Sequence, residues 1–156
     1  MQKKSLVAVL ILFVALSSSF AAGKKLSAIG VFGSYAGSTG YTGGGLGLTL
    51  KMGSFPVLGL QYNVGGSGSL ALSCDYYVVD TEALGGPVTW FLGLGAFGGV
   101  TFGSSSSFDF GLRAPIGLQL WPIKKCEIYL SGVPVLHFLP SPNLGIGAEL
   151  GFRIHL

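Results

Sequence analysis

Charged side chains are scarce in this sequence. Asp, Glu, Lys and Arg make up 10% of its 156 residues, while 49% are hydrophobic and the mean hydropathy is positive. About a quarter of the residues in a typical soluble domain are charged, so this composition argues against an ordinary soluble domain. Past the first few residues, basic residues form pairs only at Lys24-Lys25 and Lys124-Lys125. Without a basic cluster, no nucleic-acid partner is expected.

Long hydrophobic runs are missing too. The longest hydrophobic segment extends from Leu6 to Leu16 and has eleven residues, whereas a membrane-spanning helix needs about 18 or more apolar residues. This run follows Lys3 and Lys4 and precedes small residues at 17–22, which is the layout of a secretory signal peptide. We predict a signal peptide at 1–21 and a single domain at 22–156. Without Lys3 and Lys4, seven basic residues face six acidic ones, a net charge of about +1.

Cysteine occurs only twice, as Cys74 and Cys126. No cysteine lies near the predicted cleavage site, which excludes a lipid-anchored amino terminus. Cys74 falls in the middle of a predicted strand and Cys126 in a predicted turn three strands further on, too far apart for the Cα separation of about 7 Å that a disulfide allows, so we expect two free thiols. His137 and His155 fall at opposite ends of the predicted fold, so they predict no shared metal. No cofactor is expected.

What the sequence has instead is strict alternation, clearest in residues 144–156. Every even position there is apolar, whereas the odd positions carry glycine and every charged residue of the segment. Successive side chains of a β-strand point to opposite faces. The segment is therefore predicted to be a strand with one hydrocarbon face and one face of glycine and polar groups.

The same alternation predicts eight strands in all. Their bounds are Leu26 to Tyr35, Gly45 to Met52, Val57 to Val64, Leu70 to about Thr81, Val88 to about Val100, Phe108 to Leu120, Glu127 to Phe138, and Leu144 to Leu156. The seventh is the least regular, and we expect a bulge at Pro134. Only helices and closed barrels satisfy their backbone groups inside a bilayer. High hydropathy without a spanning helix therefore predicts an all-β fold, an eight-stranded antiparallel up-and-down transmembrane β-barrel.

The connections fall into two predicted groups. Gly- and Ser-rich loops are expected at 37–43, 65–69, 99–107 and 137–143, and tight turns at 53–56, 82–87 and 121–126. An even number of strands brings both termini to the same side, predicted to be periplasmic in the bacterial outer membrane. The loops would then be extracellular. Because they are short, large adhesive surfaces are not expected.

The segregation of charge predicts which face meets lipid. Arg or Lys facing lipid at mid-bilayer costs about 2–4 kcal/mol, so the apolar faces are predicted to point outward, with aromatic residues, Trp121 among them, near the strand ends in two interfacial belts. An eight-stranded barrel is narrow enough to be filled by side chains, and buried charges must pair. We expect an interior polar network in which the arginines contact the carboxylates, formed by Asp75, Arg113, Glu149 and Arg153. A structural plug is the favoured interpretation, and a solute path lined by these charges is the alternative.

Two segments resemble catalytic patterns only superficially. Gly93 to Gly98 spells G-x-G-x-x-G, but a dinucleotide-binding fingerprint must open a helix, and the residues after it do not. Ser104 to Ser107, Asp109 and His137 offer a nucleophile, a carboxylate and a base at the loop end, but a serine run beside one histidine is a weak signal. The sequence therefore predicts no catalytic residue and no enzymatic activity.

These features resemble the small outer-membrane barrels of the outer membrane protein A and X type, through the eight-strand count, the glycine-rich inward face and the apolar stripe of the last strand. Gly111 to Leu118 (GLRAPIGL) is similar to segments of spirochaetal outer-membrane barrel proteins. The resemblance implies outer-membrane lipid as surroundings and the barrel-assembly machinery as a partner during biogenesis. That machinery usually reads a terminal aromatic residue, whereas this chain ends in Leu156 with Phe152 as its nearest aromatic.

The sequence thus predicts a non-enzymatic, integral outer-membrane barrel with a structural or surface-interaction role. One alternative is a narrow pore for small solutes. Another is a soluble periplasmic barrel that binds an apolar ligand and has its two faces reversed. The sequence identifies no extracellular partner.

Overall fold

The computed structural model describes residues 27–38, 41–64, 68–102 and 107–156. The predicted signal peptide at 1–21 lies outside these ranges. The described residues form nine β-strands: β1 Ala28–Ser38, β2 Tyr41–Lys51, β3 Val57–Val64, β4 Ser69–Gly85, β5 Val88–Thr101, β6 Ser107–Arg113, β7 Ile116–Ile123, β8 Cys126–Leu139 and β9 Asn143–His155. Within the described ranges, no helix is long and apolar enough to cross a membrane.

The strands close into a ring. Strands β1 to β5 pair antiparallel in chain order, and β8 pairs antiparallel with β9. Strand β1 then pairs with β9 in an unbroken register from Ala28↔His155 to Ser38↔Gly145. The first and last strands are therefore neighbours, as an up-and-down barrel requires.

Nine strands occupy eight positions in this ring, because β6 and β7 share one. Both pair with β5 on one side and with β8 on the other. The break between them is Ala114-Pro115, where proline has no N–H to donate to the ladder. The Ala114 N–H donates to the Pro134 carbonyl at 3.0 Å, and the Pro115 carbonyl accepts from the Gly93 N–H at 2.7 Å. The predicted sixth strand is thus one interrupted strand, and the eight-stranded barrel is confirmed.

Pro134 does not form the bulge expected from the sequence. Strand β8 keeps a continuous register with β9 from Cys126↔Ile154 to His137↔Asn143. Irregularities occur instead where β8 meets β6, between Phe110 and Gly111, and in β4 between Tyr77 and Gly85. Proline thus interrupts the strand pairing at Pro115, and a register shift between β7 and β8 spans Pro122, whereas Pro134 leaves the β8–β9 pairing intact.

Most predicted loops are shorter than expected because the strands extend into them. Strands β1 and β2 extend into the predicted loop 37–43 as far as Ser38 and Tyr41, and residues 39–40, 65–67 and 103–106 lie outside the described ranges. Strand β8 runs to Leu139 and β9 begins at Asn143, so three residues connect them instead of the predicted 137–143. At the other end, the turn predicted at 82–87 reduces to residues 86–87, and the one at 121–126 to 124–125.

The side chains alternate between the two faces of the ring as predicted, although Met52, Leu58 and Leu60 on the predicted outer face form a buried cluster. Large apolar side chains are exposed on the outer face, among them Leu46, Leu94, Leu118 and Leu150. The inner face holds the buried aromatic cluster and most of the charged residues. The charged side chains that are exposed in the described ranges are Glu82, Lys124 and Lys125, and all three lie at or near turns.

Candidate functional site: the barrel interior

Arg153 on β9 is the centre of a network that fills the turn end of the barrel, which we call the plug. It is 2% exposed, and its Nη1 lies 2.7 Å from Oε1 of Glu127, which is 0% exposed. Arg153 also donates through Nη2 to the Tyr77 hydroxyl at 3.1 Å and through Nε to Thr49 Oγ1 at 3.3 Å. Its guanidinium lies 4.0 Å from the centre of the Tyr129 ring. A buried cation held by a carboxylate, two hydroxyls and an aromatic face is well compensated.

Glu127 connects this arginine to neighbouring strands. Its Oε2 lies 2.6 Å from His155 Nε2, and its Oε1 accepts from Gln119 Nε2 at 3.1 Å. Gln119 Oε1 accepts from Thr89 Oγ1 at 2.8 Å, and Thr89 Oγ1 in turn accepts from Trp121 Nε1 at 2.9 Å. The chain of polar contacts runs across β5, β7, β8 and β9, so it ties the turn end together.

Trp121 corrects an expectation from the sequence. It was expected in the turn-side aromatic belt, but its indole N–H bonds to Thr89 and its ring lies 4.7 Å from the His155 ring. Both partners face the interior, so Trp121 belongs to the plug and not to the outer surface.

A second ion pair completes the charges of the plug. Lys51 Nζ lies 2.7 Å from Asp80 Oδ1, and the lysine is 3% exposed. Lys51 also lies 5.2 Å from the centre of the Tyr77 ring. The plug therefore contains two cations and two carboxylates, besides His155, and its charges balance.

Aromatic rings pack beside these charges. Tyr77 stacks on Phe91 at a centroid distance of 4.8 Å, and Phe91 meets Tyr129 edge-to-face at 6.2 Å. Phe32 and Val57 belong to the same buried cluster. Glycine makes room for the rings: a Cβ on Gly151 would overlap the Tyr129 ring, and one on Gly47 would overlap the Phe32 ring.

Arg113 holds the other pair of carboxylates. Its Nε lies 3.1 Å from Asp75 Oδ1 and its Nη2 lies 2.9 Å from Glu149 Oε1. The structure thus brings three of the four predicted network residues together. Arg153, the fourth, was expected to meet Glu149 or Asp75 but pairs with Glu127 instead.

Towards the loops the interior is open. A cavity of about 480 Å³, which we call the cup, extends from Arg113 and Glu149 to the loop end of the barrel. Its lining consists mainly of small and polar residues from the loop-side halves of the strands, such as Ser34, Ser73, Gly99 and Gly147. Asp109 and His137 also line it, and His137 Nδ1 lies 2.9 Å from Asp109 Oδ1.

The structure gives little support to a catalytic or metal site. His137 and Asp109 form a pair at the cup, and Ser107 lines the same cavity, whereas Ser104 to Ser106 lie outside the described residues. His137 and His155 occupy opposite ends of the barrel, as predicted, and each faces the interior and contacts a carboxylate. Among the described residues, no three His, Cys, Asp or Glu side chains cluster to hold a metal. Cys74 and Cys126 are free thiols, as predicted.

Sequence reasoning missed several plug residues: Glu127, Lys51, Asp80, Gln119 and Thr89. All except Asp80 share the inward parity of their strands, so the alternation could have identified them. Asp80 follows a register shift in β4, where parity no longer reports the face. The partner of Arg153 was missed because the stagger between strands is not visible in the sequence.

These features define the class of the protein: a closed barrel of eight strand positions with an apolar exterior and a polar, partly filled interior. This is the fold of the small eight-stranded outer-membrane β-barrels.

Solved structures of that class match the chain over most of its length. The amino-terminal β-barrel domain of Pseudomonas aeruginosa OprF aligns with a TM-score of 0.53 and 12% identity, covering 83% of this chain and 98% of that domain. Neisserial surface protein A aligns with a TM-score of 0.53 and 16% identity, covering 86% of this chain and 99% of that protein. At these identities the likeness establishes the fold alone. No protein-family model matches the sequence, and no curated protein sequence is significantly similar to it.

Proposed function

We propose that this chain is an integral protein of the bacterial outer membrane, non-enzymatic, with a structural or surface-interaction role and with both termini in the periplasm. The observation that carries the proposal is the separation of the two faces. Leu150 on β9 is 59% exposed on the outer face, whereas its neighbours Glu149 and Gly151 are buried on the inner one. A barrel with such a surface is stable where hydrocarbon covers it.

The plug favours this role over that of a narrow pore. Phe32, Tyr77, Phe91 and Tyr129 are each 5% exposed or less, and the balanced ion pairs of Arg153 and Lys51 lie among them. The cup therefore ends on packed side chains. Moving an ion through this region would require breaking buried ion pairs, which is costly.

A soluble periplasmic barrel is the less supported alternative. It would need its apolar side chains inside, whereas the outer face carries them from Leu144 to Ile154 on β9 and from Leu46 to Leu50 on β2.

Fractionation with gel mobility tests the membrane assignment. Cells expressing the chain are separated into soluble periplasm and outer membrane, and detergent extracts are run heated and unheated. We expect the protein in the outer membrane, with a mobility that changes on heating as folded barrels unfold. Recovery in the soluble periplasm would overturn the proposal.

The lipid-facing surface can be tested at one position. Leu150→Arg places a charge at the middle of β9 on the outer face, and we expect it to lower the free energy of unfolding in lipid vesicles by about 2–4 kcal/mol. The matched control is Leu144→Arg, on the same strand and face but at its loop end, where Leu144 is 73% exposed; there the cost should be about 0–1 kcal/mol. Both free energies are measured by urea titration, in which the folded fraction is followed by the gel mobility of unheated samples. Equal effects at the two positions would contradict a bilayer around the centre of the strand.

Planar-bilayer recordings test the absence of conduction. The refolded protein should give no steps above a detergent control. Steps of reproducible size would favour the pore. In that case Arg153→Ala, which removes the centre of the plug, should enlarge them.

A further inference from the structure

The cup is lined by groups that accept hydrogen bonds. Its polar wall groups are mainly hydroxyls and amides, contributed by Ser34, Gln61, Asn63, Ser69, Ser73 and Thr101, and they are interspersed with glycine, alanine and a few larger apolar side chains. Some N–H groups are already used within the wall, since Gln61 Nε2 donates to Asn63 Oδ1 and Asn63 Nδ2 donates to Ser69 Oγ at 2.8 Å. Ser34 Oγ is buried without a hydrogen-bond partner among the described residues. The walls thus suit a ligand that supplies donors.

Charge in and directly under the cup does not balance. Three carboxylates, those of Asp75, Asp109 and Glu149, face one guanidinium, that of Arg113. This leaves an excess of two negative charges when His137 is neutral and one when it is protonated. No lysine lines the cup within the described part of the chain. A concave site with low-dielectric walls concentrates such a field and attracts cations.

We propose that the cup binds a small organic cation that carries primary ammonium groups, of the size of a linear diamine. An ammonium group has three donors and no acceptor, which matches this lining. Glu149, with a side chain 11% exposed, lies deep in the cup, and Asp109, at 35%, lies nearer its opening. Glu149 already contacts Arg113 through Oε1, and Asp109 contacts His137, so an ammonium group at each end of a diamine would share a carboxylate with one of these partners. The volume of about 480 Å³ holds such a molecule with some water.

Other ligand classes fit less well. An anion would meet the excess negative charge. A neutral polyol would leave that charge uncompensated. A bare divalent metal ion needs several converging carboxylates or imidazoles, and the described residues contain no such cluster of three. The inference concerns binding only and does not depend on whether the barrel conducts.

The test is a titration of the full refolded barrel in detergent micelles at low ionic strength, followed by calorimetry. The probe is 1,4-diaminobutane, and 1,4-butanediol, succinate and magnesium chloride are compared with it. We expect heat of binding for the diamine only, and weaker binding as salt is added. Binding of the diol or succinate as tight as that of the diamine, binding of magnesium alone, or no binding at all would each overturn the proposal.

Two variants locate the site. Asp109→Asn removes one cup carboxylate and should weaken diamine binding about five-fold or more, five-fold being the value for one charge at about 4 Å in water-like surroundings. Its control is Glu82→Gln, which removes an exposed carboxylate near the β4–β5 turn and should leave affinity unchanged. Ala71→Phe fills the cup without changing its charge and should abolish binding. Heat-modifiable mobility checks that each variant folds. Equal losses for Asp109→Asn and Glu82→Gln would place any binding outside the cup.

Discussion

The two ends of the barrel interior differ in the size of their inward-facing side chains. The plug uses long side chains, Arg153, Tyr77, Phe91 and Tyr129, and each is 3% exposed or less. The cup is lined mainly by small and polar residues, with a few larger side chains such as Phe97, and it leaves a cavity of about 480 Å³. The same ring of strands encloses both. The diameter of an eight-stranded barrel is set by its strand number. The size of the inward-facing side chains therefore decides whether the interior is filled or open at a given height along the barrel axis.

Glycine shows the contrast within one strand. On β9, Gly151 leaves space that the Tyr129 ring occupies, whereas a Cβ on Gly147 would meet its nearest atom, the Tyr35 carbonyl oxygen, at 3.4 Å. Glycine in the plug admits a large neighbour, and glycine in the cup keeps a cavity. The role of an inward-facing glycine in this barrel therefore depends on the size of the side chains that face it across the interior.

The largest expected effect comes from removing the plug arginine. Arg153→Ala leaves the Glu127 carboxylate, 0% exposed, without its cation, and breaking a buried pair in this way costs about 3–5 kcal/mol. Arg113→Ala at the floor of the cup should cost less, because water entering from the cup can solvate Asp75 and Glu149. The free energies of unfolding of both variants are measured by urea titration in lipid vesicles with unheated gel mobility.

A double variant separates charge from packing in that experiment. Glu127→Gln added to Arg153→Ala removes the orphaned charge and should recover part of the loss. If Arg113→Ala proves as costly as Arg153→Ala, the cup is as dry as the plug and the contrast between the two ends fails.

The next largest expected difference in the free energy of unfolding is between alanine substitutions at Gly151 and at Gly147. Gly151→Ala forces the Tyr129 ring to move, and overpacking of this kind costs about 1–3 kcal/mol. Gly147→Ala meets ordinary van der Waals distances, so a change of at most about 0.5 kcal/mol is expected. Both substitutions lie on β9 and both face inward, so strand propensity cancels in the comparison. A penalty for Gly147→Ala as large as that for Gly151→Ala would mean that the cup is packed in solution.

The ring and its two faces were predictable because a period of two is a local property of the chain. Each strand carries its own alternation, and the bounds Val57–Val64 were predicted correctly, although Leu58 and Leu60 on its predicted outer face are buried. The interior pairing was less predictable. Which carboxylate reaches Arg153 depends on the stagger between strands, set by connections and by the register shifts of β4 between Tyr77 and Gly85. The glycine and serine content also led to loops that were predicted too long, because glycine-rich strand ends such as 41–44 still pair with the neighbouring strand.

The smallest predicted effect compares one hydrogen bond in each half. Trp121 Nε1 donates to Thr89 Oγ1 at 2.9 Å in the plug, and Asn63 Nδ2 donates to Ser69 Oγ at 2.8 Å in the cup. A double-variant cycle of Trp121→Phe with Thr89→Ala should give a coupling energy of about 0.5–1.5 kcal/mol. The cycle of Asn63→Ala with Ser69→Ala should give about 0.3 kcal/mol or less, since a water in the open cup can replace either partner. Similar coupling energies in the two cycles would show that the bond in the cup is shielded from water as well as the bond in the plug. The cup would then be closed in solution, and a cation would have no path to Glu149.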